Sequence, residues 1–307
     1  MTDFAERTFQ AHRGLLFTLA YDIVGSVDDA EDVVQETWLR WAEVDHSRIE
    51  RARAYLTRIA VREGLRRLRI ARQARERYAG PWLPEPWTPS GSPDGMERFG
   101  AACGAGGVEP AGGDPADGVV RTHNVSQGLM IVLETLSPLE RTAFVLREAF
   151  GYEHAEIARI LDRSPEAVRQ LVHRAREHVQ ARRPRFSTEP ETARAAAERF
   201  LHAAFGGDLA ALLEVLAPDV TLWTDGGGQI RAALHPIRGR DKVARFCAAV
   251  GLQNMAVGYR WMDDSTAIVL AEDAPIAVVT LIPDDSGARI REVHSVLNPD
   301  KLDHVLP

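Results

Sequence analysis

Apolar residues recur at helical spacing through the first 78 positions: Leu15, Leu16, Leu19, Ala20 and Ile23, then Val33, Val34 and Leu39, then Leu56, Ile59 and Ala60. No proline interrupts them, so the spacing predicts several amphipathic helices over 1–78. Gly25-Ser26 marks a turn, and Asp28 or Asp29 is placed to cap the helix that follows. Residues 80–118 are rich in proline and glycine and read as a linker. Helical spacing resumes near Asn124, and Ser137-Pro138-Leu139-Glu140 is a capping box with proline at the first helical position. Gly151 predicts a stop. Thr188-Glu189-Pro190-Glu191 is a second capping box, and helical patterns follow over Ala195–Phe205 and Leu209–Leu216. The chain then changes character. VTLWTDGG, AIVLAED, IAVVTLIPDD and RIREVHSVL are short, β-branched and separated by turn residues, which predicts strands.

One stretch carries a recognisable supersecondary pattern. In YEHAEIARILDRSPEAVRQLVHRAREHV, a helix of about Glu153–Leu161 puts Ile157, Ala158 and Leu161 on one face. Asp162-Arg163-Ser164 forms a short turn, Ser164 caps, and Pro165 starts a second helix. Its Val168, Leu171, Val172 and Ala175 face inward, so Arg169, Gln170, His173 and Arg174 project outward. Two short helices across a three-residue turn, the second one basic, fit a helix-turn-helix that reads the DNA major groove.

The net charge of −7 over 307 residues, taken as a total, argues against nucleic acid. Its distribution reverses that. Segment 45–78 carries 11 basic and 4 acidic side chains, and 163–185 carries 7 and 2. Segments 1–44 and 187–307 are each net −6. Only Lys242 and Lys301 among the 37 basic residues are lysine, so the basic patches are built of arginine forks, which suit phosphates and base edges. Arg58, Arg62, Arg66, Arg67, Arg69, Arg72, Arg75 and Arg77 cover more than one face of a helix and point to a nucleic-acid backbone. The acidic stretch DDAEDVVQETWLRW is amphipathic, with Trp38 and Trp41 as core or interface anchors. Two cysteines, Cys103 and Cys247, support neither a disulfide framework nor a four-ligand zinc site. No stretch approaches the ~18 apolar residues of a membrane helix, and the acidic start lacks a signal-peptide pattern. The expectation is a cytoplasmic protein without metal or cofactor.

DAEDVVQETWLRW, AYLTRIAVREGLRRLR and LSPLERTAFVLREAFGYEHAEIARILDRSPEAVRQLVHRAR together resemble regions 2 and 4 of an extracytoplasmic-function (ECF) sigma factor, over about residues 5–182. Three further motifs resemble signatures of the subgroup with a SnoaL-like C-terminal extension, the SigJ type. These are Trp82-Leu83-Pro84-Glu85-Pro86, Asp225-Gly226-Gly227-Gly228 and Asn298-Pro299-Asp300-Lys301-Leu302. The resemblance implies a multidomain chain: two all-α sigma domains, a region 2 helical bundle and a region 4 helix-turn-helix, then an α+β SnoaL-like cone domain. The implied boundaries are 1–78, a linker 79–123, 124–186 and 187–307.

The implied function is promoter-specific transcription initiation with core RNA polymerase, regulated in cis by the extension. Asp28, Asp29, Glu31, Asp32 and Gln35 would bind the polymerase clamp. Arg58, Arg62 and Arg66 would lie near the melted minus-ten strand. Arg163, Ser164, Arg169, Gln170, His173 and Arg174 would meet the minus-thirty-five element. The three motifs would regulate between domains, with NPDKL as a short exposed element that docks on a neighbour. Two departures stand out: relatives usually have Asp where this chain has Arg66, and an apolar residue where it has Glu63. Gly is common where Asp162 sits, and Asp tolerates the left-handed conformation.

Other readings exist. A ligand-responsive DNA-binding regulator would not need the acidic Asp28–Gln35 helix. SnoaL-like relatives include enzymes working through Asp/His pairs, and Asp225, His235, Asp241 and His294, with Trp223 and Trp261, could line such a cone. Against that, Asp225 before three glycines reads as a turn residue, and fold does not imply function. A small-molecule ligand in the cone is the one further partner this reading admits.

Overall fold

The structure is a computed structural model and describes residues 2–87, 125–182, 190–249 and 256–305. Cys103, Thr188, Glu189, most of the expected linker and the expected boundary at 186/187 lie outside the described residues. The described chain divides into two compact units. One holds 2–76, 125 and 132–179; the other holds 77–87, 126–131 and 180 onward.

The first unit is helical. Helices α1 (Thr2–Val24), α2 (Val27–Ala42) and α3 (Ala52–Arg75) pack on one another around Leu16, Leu19, Ile23, Val33, Trp41, Leu56 and Leu68. Ser26, rather than Asp28 or Asp29, caps α2: its side chain accepts from the Asp29 N–H. Trp41 is a core residue whose Nε1 donates to the Ala5 carbonyl at 2.9 Å, whereas Trp38 is half-buried against Phe9. Helix α4 (Gln127–Leu133) crosses the division between the units. The capping box forms at α5 (Pro138–Phe144), where the Glu140 N–H donates to Ser137 Oγ and the Ser137 N–H to Glu140 Oε2. A turn of π-helix over Val145–Ala149 precedes the stop at Gly151, whose φ is +68°. Helices α6 (His154–Leu161) and α7 (Pro165–Arg182) are the two arms of the helix-turn-helix. Asp162 takes the left-handed conformation, φ 55° and ψ 56°. Val168, Val172 and Ala175 are fully buried, as their spacing predicts.

The second unit is α+β. Helices α8 (Pro190–Gly206), α9 (Leu209–Val215) and α10 (Arg240–Ala249) accompany a six-stranded sheet. Its strands are β1 (Leu216–Asp225), β2 (Ile237–Arg238), β3 (Val257–Trp261), β4 (Thr266–Ala271), β5 (Ala274–Pro283) and β6 (Ile290–Val296), in the order β2-β1-β6-β5-β4-β3. Among the described residues, only β1 and β6 pair in parallel, with Trp223 opposite His294 and Asp225 opposite Val296. The short edge strands β2 and β3 and helix α10 escape the sequence reading. VGYRW alternates half-buried with exposed positions and lacks an apolar run.

Strand alternation gives the sheet two covered faces. On one, Val220, Leu222, Val269, Leu281 and Val293 meet Phe200, Leu212 and Val243 of the three helices in one buried apolar cluster. On the other, Ile268, Leu270, Val278 and Val296 are covered by Leu83, Leu302 and Val305. The second face is thus closed by chain that precedes and follows the sheet in sequence.

Candidate functional site

The face of α7 expected to meet DNA is set by the helix's inward stripe. With Val168, Leu171, Val172 and Ala175 committed to the core, Arg169, Gln170, His173 and Arg174 are exposed, as are Arg163 and Ser164 at its start. Ser164 Oγ accepts from the Ala167 N–H at 3.2 Å and caps the helix. Arg174 is not loose: its Nε lies 3.2 Å from Glu140 Oε1, on the same carboxylate whose other oxygen closes the capping box. Arg176 is paired likewise with Glu148. Sequence reasoning missed Glu140 and Glu148 in this role, because their partners come from a different helix.

On α3, Arg58, Arg62, Arg66 and Arg69 form an exposed stripe at helical spacing. Arg77 is exposed as well, whereas Arg67, Arg72 and Arg75 depart from the expectation of a nucleic-acid surface. Arg67 is held by Asp29 at 3.2 Å and Asp32 at 2.7 Å. Arg75 turns inward onto Glu134 at 2.6 Å and the Val24 carbonyl at 3.0 Å, and Arg72 donates to the Leu136 carbonyl. Burial lowers the pKa of both Arg72 and Arg75. These are structural cations. The two departures noted at Glu63 and Arg66 are coupled: the buried Glu63 carboxylate bridges Arg66 at 2.8 Å and Arg40 at 2.6 Å. That hydrogen bond and charge raise the Arg66 pKa further.

Of the acidic residues on α2, Asp28 and Gln35 are exposed, Asp29 and Asp32 hold Arg67, and Glu31 pairs with Arg13 at 2.7 Å. Glu31 and Gln35 border a groove of about 260 Å³ floored by Phe9, Val34 and Trp38. Beneath α1, Arg141 is fully buried, donates to the Asp22 carbonyl at 2.9 Å and pairs with Glu134. Asp22 is itself buried, its Oδ2 has no hydrogen-bond partner, and its pKa is pushed up to about 8 by burial, against the pull of Arg141.

In the second unit, the three motifs come together at one carboxylate. Asp225 ends β1 with no exposed surface; it is not the exposed turn residue its glycines suggest. Its Oδ1 accepts from the Tyr78 hydroxyl at 2.6 Å and the Gly227 N–H at 3.2 Å. Its Oδ2 accepts from the Leu83 N–H at 2.8 Å and the Lys301 ammonium at 2.7 Å. Lys301 also donates to the Leu83 carbonyl at 2.6 Å and stands 4.0 Å from the centre of the Trp82 ring, a cation–π contact. Asn298 Nδ2 donates to the Tyr78 hydroxyl at 3.0 Å, while its Oδ1 accepts from the Asp300 N–H. Burial, then the Asp225 hydrogen bond, raises the Tyr78 pKa, so the phenol keeps its proton and donates it.

The glycines are required by this packing. Gly227 has φ +61°, and a Cβ there would fall 2.5 Å from the Asn298 side chain. One on Gly226 would fall 2.5 Å from the Ile230 carbonyl. Leu83 and Leu302 are buried in the apolar layer, Pro84 offers its carbonyl to Gln127 at 2.8 Å, and Glu85 is buried 3.8 Å from His304. Gly228, Pro86 and Pro299 complete the three segments, and Asp300 accepts from Gln229. Against the expectation of an exposed element, Asn298, Lys301 and Leu302 are buried.

The Asp/His set of the enzyme reading is dispersed among other tasks. Asp225 is saturated as described. His294 stacks on Trp223 at 4.4 Å and bonds Glu292 at 2.9 Å. His235 and Asp241 are exposed, and the Arg194 guanidinium covers Trp261 at 3.6 Å. Among the described residues, no group of three or more His, Cys, Asp or Glu side chains could hold a metal ion, and no helix is long and apolar enough to cross a membrane.

Comparison with known proteins agrees with this architecture. The sigma-70 region 2 profile matches residues 8–74, and the sigma-70 region 4 profile matches 128–179. The chain is 39% identical over 239 residues to the ECF RNA polymerase sigma factor SigJ of Mycobacterium tuberculosis, covering 78% of this chain and 70% of that protein. It is 35% identical over 212 residues to the probable ECF RNA polymerase sigma factor SigI of the same species, covering 69% and 67%. The crystal structure of M. tuberculosis SigJ superposes with a TM-score of 0.64 at 30% identity, covering 95% of this chain and 96% of that one.

Proposed function

We propose a division of labour within this chain, which belongs to the extracytoplasmic-function RNA polymerase sigma factors. Residues 1–78 and 124–186 serve as regions 2 and 4, and 187–307 is a regulatory extension that acts in cis on the linker 79–123. Region 2 docks on core polymerase through the acidic face of α2, with Asp28 and Gln35 outermost. The α3 stripe of Arg58, Arg62 and Arg66 follows the opened minus-ten strand by phosphate contact. Region 4 reads the minus-thirty-five element with Arg169, Gln170, His173 and Arg174, where loss of one base-reading side chain costs ~1–3 kcal/mol. Arg174 enters the groove already oriented by Glu140, which lowers the entropy lost on binding. The protein works in the cytoplasm, on polymerase and promoter DNA.

The observation that carries the cis reading is the Asp225 lock. One buried carboxylate takes its donors from the linker (Tyr78, Leu83) and from the chain end (Lys301). The path of the linker between regions 2 and 4 is thereby tied to the fold of the extension. The prior commitments of Asp225 and His294 favour control by contact over turnover.

The test is run-off transcription with core polymerase. Full-length protein is compared with Asn298→Ala/Lys301→Ala, with a chain ended near Phe186, and with one lacking the tail from Asn298. A promoter-specific transcript from the full chain, changed in yield by opening the lock, is expected. No specific transcript from any form would overturn promoter-directed initiation. A yield indifferent to all three changes would overturn the cis control.

A further inference from the structure

We infer that the extension also grips the head of region 4 itself, at a second site formed by the β3–β4 turn and the sheet face beside it; the inference rests on the cis reading above. The occupant is the first turn of α4. The Gln127 N–H donates to Asp263 Oδ2 at 3.2 Å. The other oxygen of that carboxylate is fixed by the Ser265 N–H at 2.8 Å and hydroxyl at 3.1 Å. A residue distant in sequence thus satisfies one of the N–H groups that a helix leaves unpaired at its start. Gly128 sits against the sheet: a Cβ there would stand 3.5 Å from Ile282, 3.6 Å from Ser265 and 3.8 Å from Thr280, so a methyl is in ordinary contact and bulk beyond it presses on these side chains. Gln127 and Met130 are buried.

The grip is chained to the lock. Gln127 Nε2 donates at 2.8 Å to the carbonyl of Pro84, the middle residue of the Trp82–Pro86 strip. That carbonyl is in place only while the neighbouring Leu83 is held through its N–H by Asp225 and through its carbonyl by Lys301. When the strip leaves, the buried Gln127 amide loses its acceptor, a state that buried polar groups avoid. Release of the linker therefore weakens the hold on α4. That helix runs on to Leu133, inside the segment matched by the region 4 profile. The extension senses and controls region 4 through its first helix, and the linker strip is the connecting part.

Amide hydrogen exchange and run-off transcription on the full chain test this, with Gly128→Val, Asp263→Ala and the lock variant Lys301→Ala. Gly128→Val blocks the seat from the region 4 side and Asp263→Ala removes the cap from the far side, so a folding defect in one does not mask the other. We expect at least tenfold faster exchange over 127–133 in both, with peptides over 136–149 and β4–β5 unchanged. The transcript yield should move in the same direction as in Lys301→Ala. Unchanged exchange over 127–133 would overturn the grip. A yield equal to wild type in both variants, while Lys301→Ala alters it, would overturn its role and leave the cis control standing. A yield unaltered in all three would overturn both.

Discussion

In the sheet unit, the buried carboxylate of Asp225 has a partner wherever it faces: a phenol, two backbone N–H groups and an ammonium. In the helical unit, the buried carboxylate of Asp22 has an oxygen with none, although Arg141 lies against its own backbone carbonyl. Both sites bury charge at a desolvation cost, and they meet it differently. The first spreads one negative charge over four donors and couples three distant segments. The second leaves the carboxyl poised between protonated and ionised forms near neutral pH. A saturated site resists change until a whole segment leaves. An unsaturated one responds to a single proton.

The largest expected effect tests the saturated site. Lys301→Ala leaves Asp225 buried without its countercharge and should cost about 3–5 kcal/mol in the sheet unit. Denaturant unfolding followed by Trp fluorescence would show it. A loss below about 1 kcal/mol would mean that the phenol and the backbone donors hold the carboxylate unaided.

Gly227→Ala comes next. It combines a left-handed backbone with a Cβ placed 2.5 Å from Asn298, for roughly 2–4 kcal/mol. The thermal midpoint should fall, with exchange protection lost first over the 298–302 turn.

The third test concerns the unsaturated site and is a matter of pH. Asp22 has a folded pKa raised from 3.8 to about 8, so its stabilising contribution is full below the unfolded value and is lost as pH rises through the folded one. The helical unit should lose stability between about pH 4 and 8 through this residue, and Asp22→Asn should flatten that slope. Parallel melting curves of wild type and variant across that range would show that Asp22 does not titrate in the fold.

Much of the fold could be read along the chain because it is encoded over a few residues at a time. The capping box at Ser137–Glu140, the inward stripe of Val168, Val172 and Ala175, and the left-handed Asp162 all follow from local spacing or local conformation. The strands of greatest apolar content could be read as well, while β3 was hidden by its half-exposed alternation. At the sites the limit is equally physical. Arg67, Arg72 and Arg75 share the composition of Arg58, Arg62 and Arg66, and nothing local tells a cation that will fold inward onto Asp29 or Glu134 from one left in water.

The sequence by itself determined the helices of the sigma regions, the helix-turn-helix, the uneven distribution of charge and the presence of three further motifs. The tertiary structure alone decided that the motifs meet. Asp225 joins Tyr78, 147 positions away, and Lys301, 76 positions away, and Lys301 reaches the Leu83 carbonyl across 218. No local pattern carries contacts of that length. They exist because parallel pairing of β1 with β6 brings Asp225 opposite Val296, beside the turn that follows, and because the apolar layer under Leu83 and Leu302 closes over them.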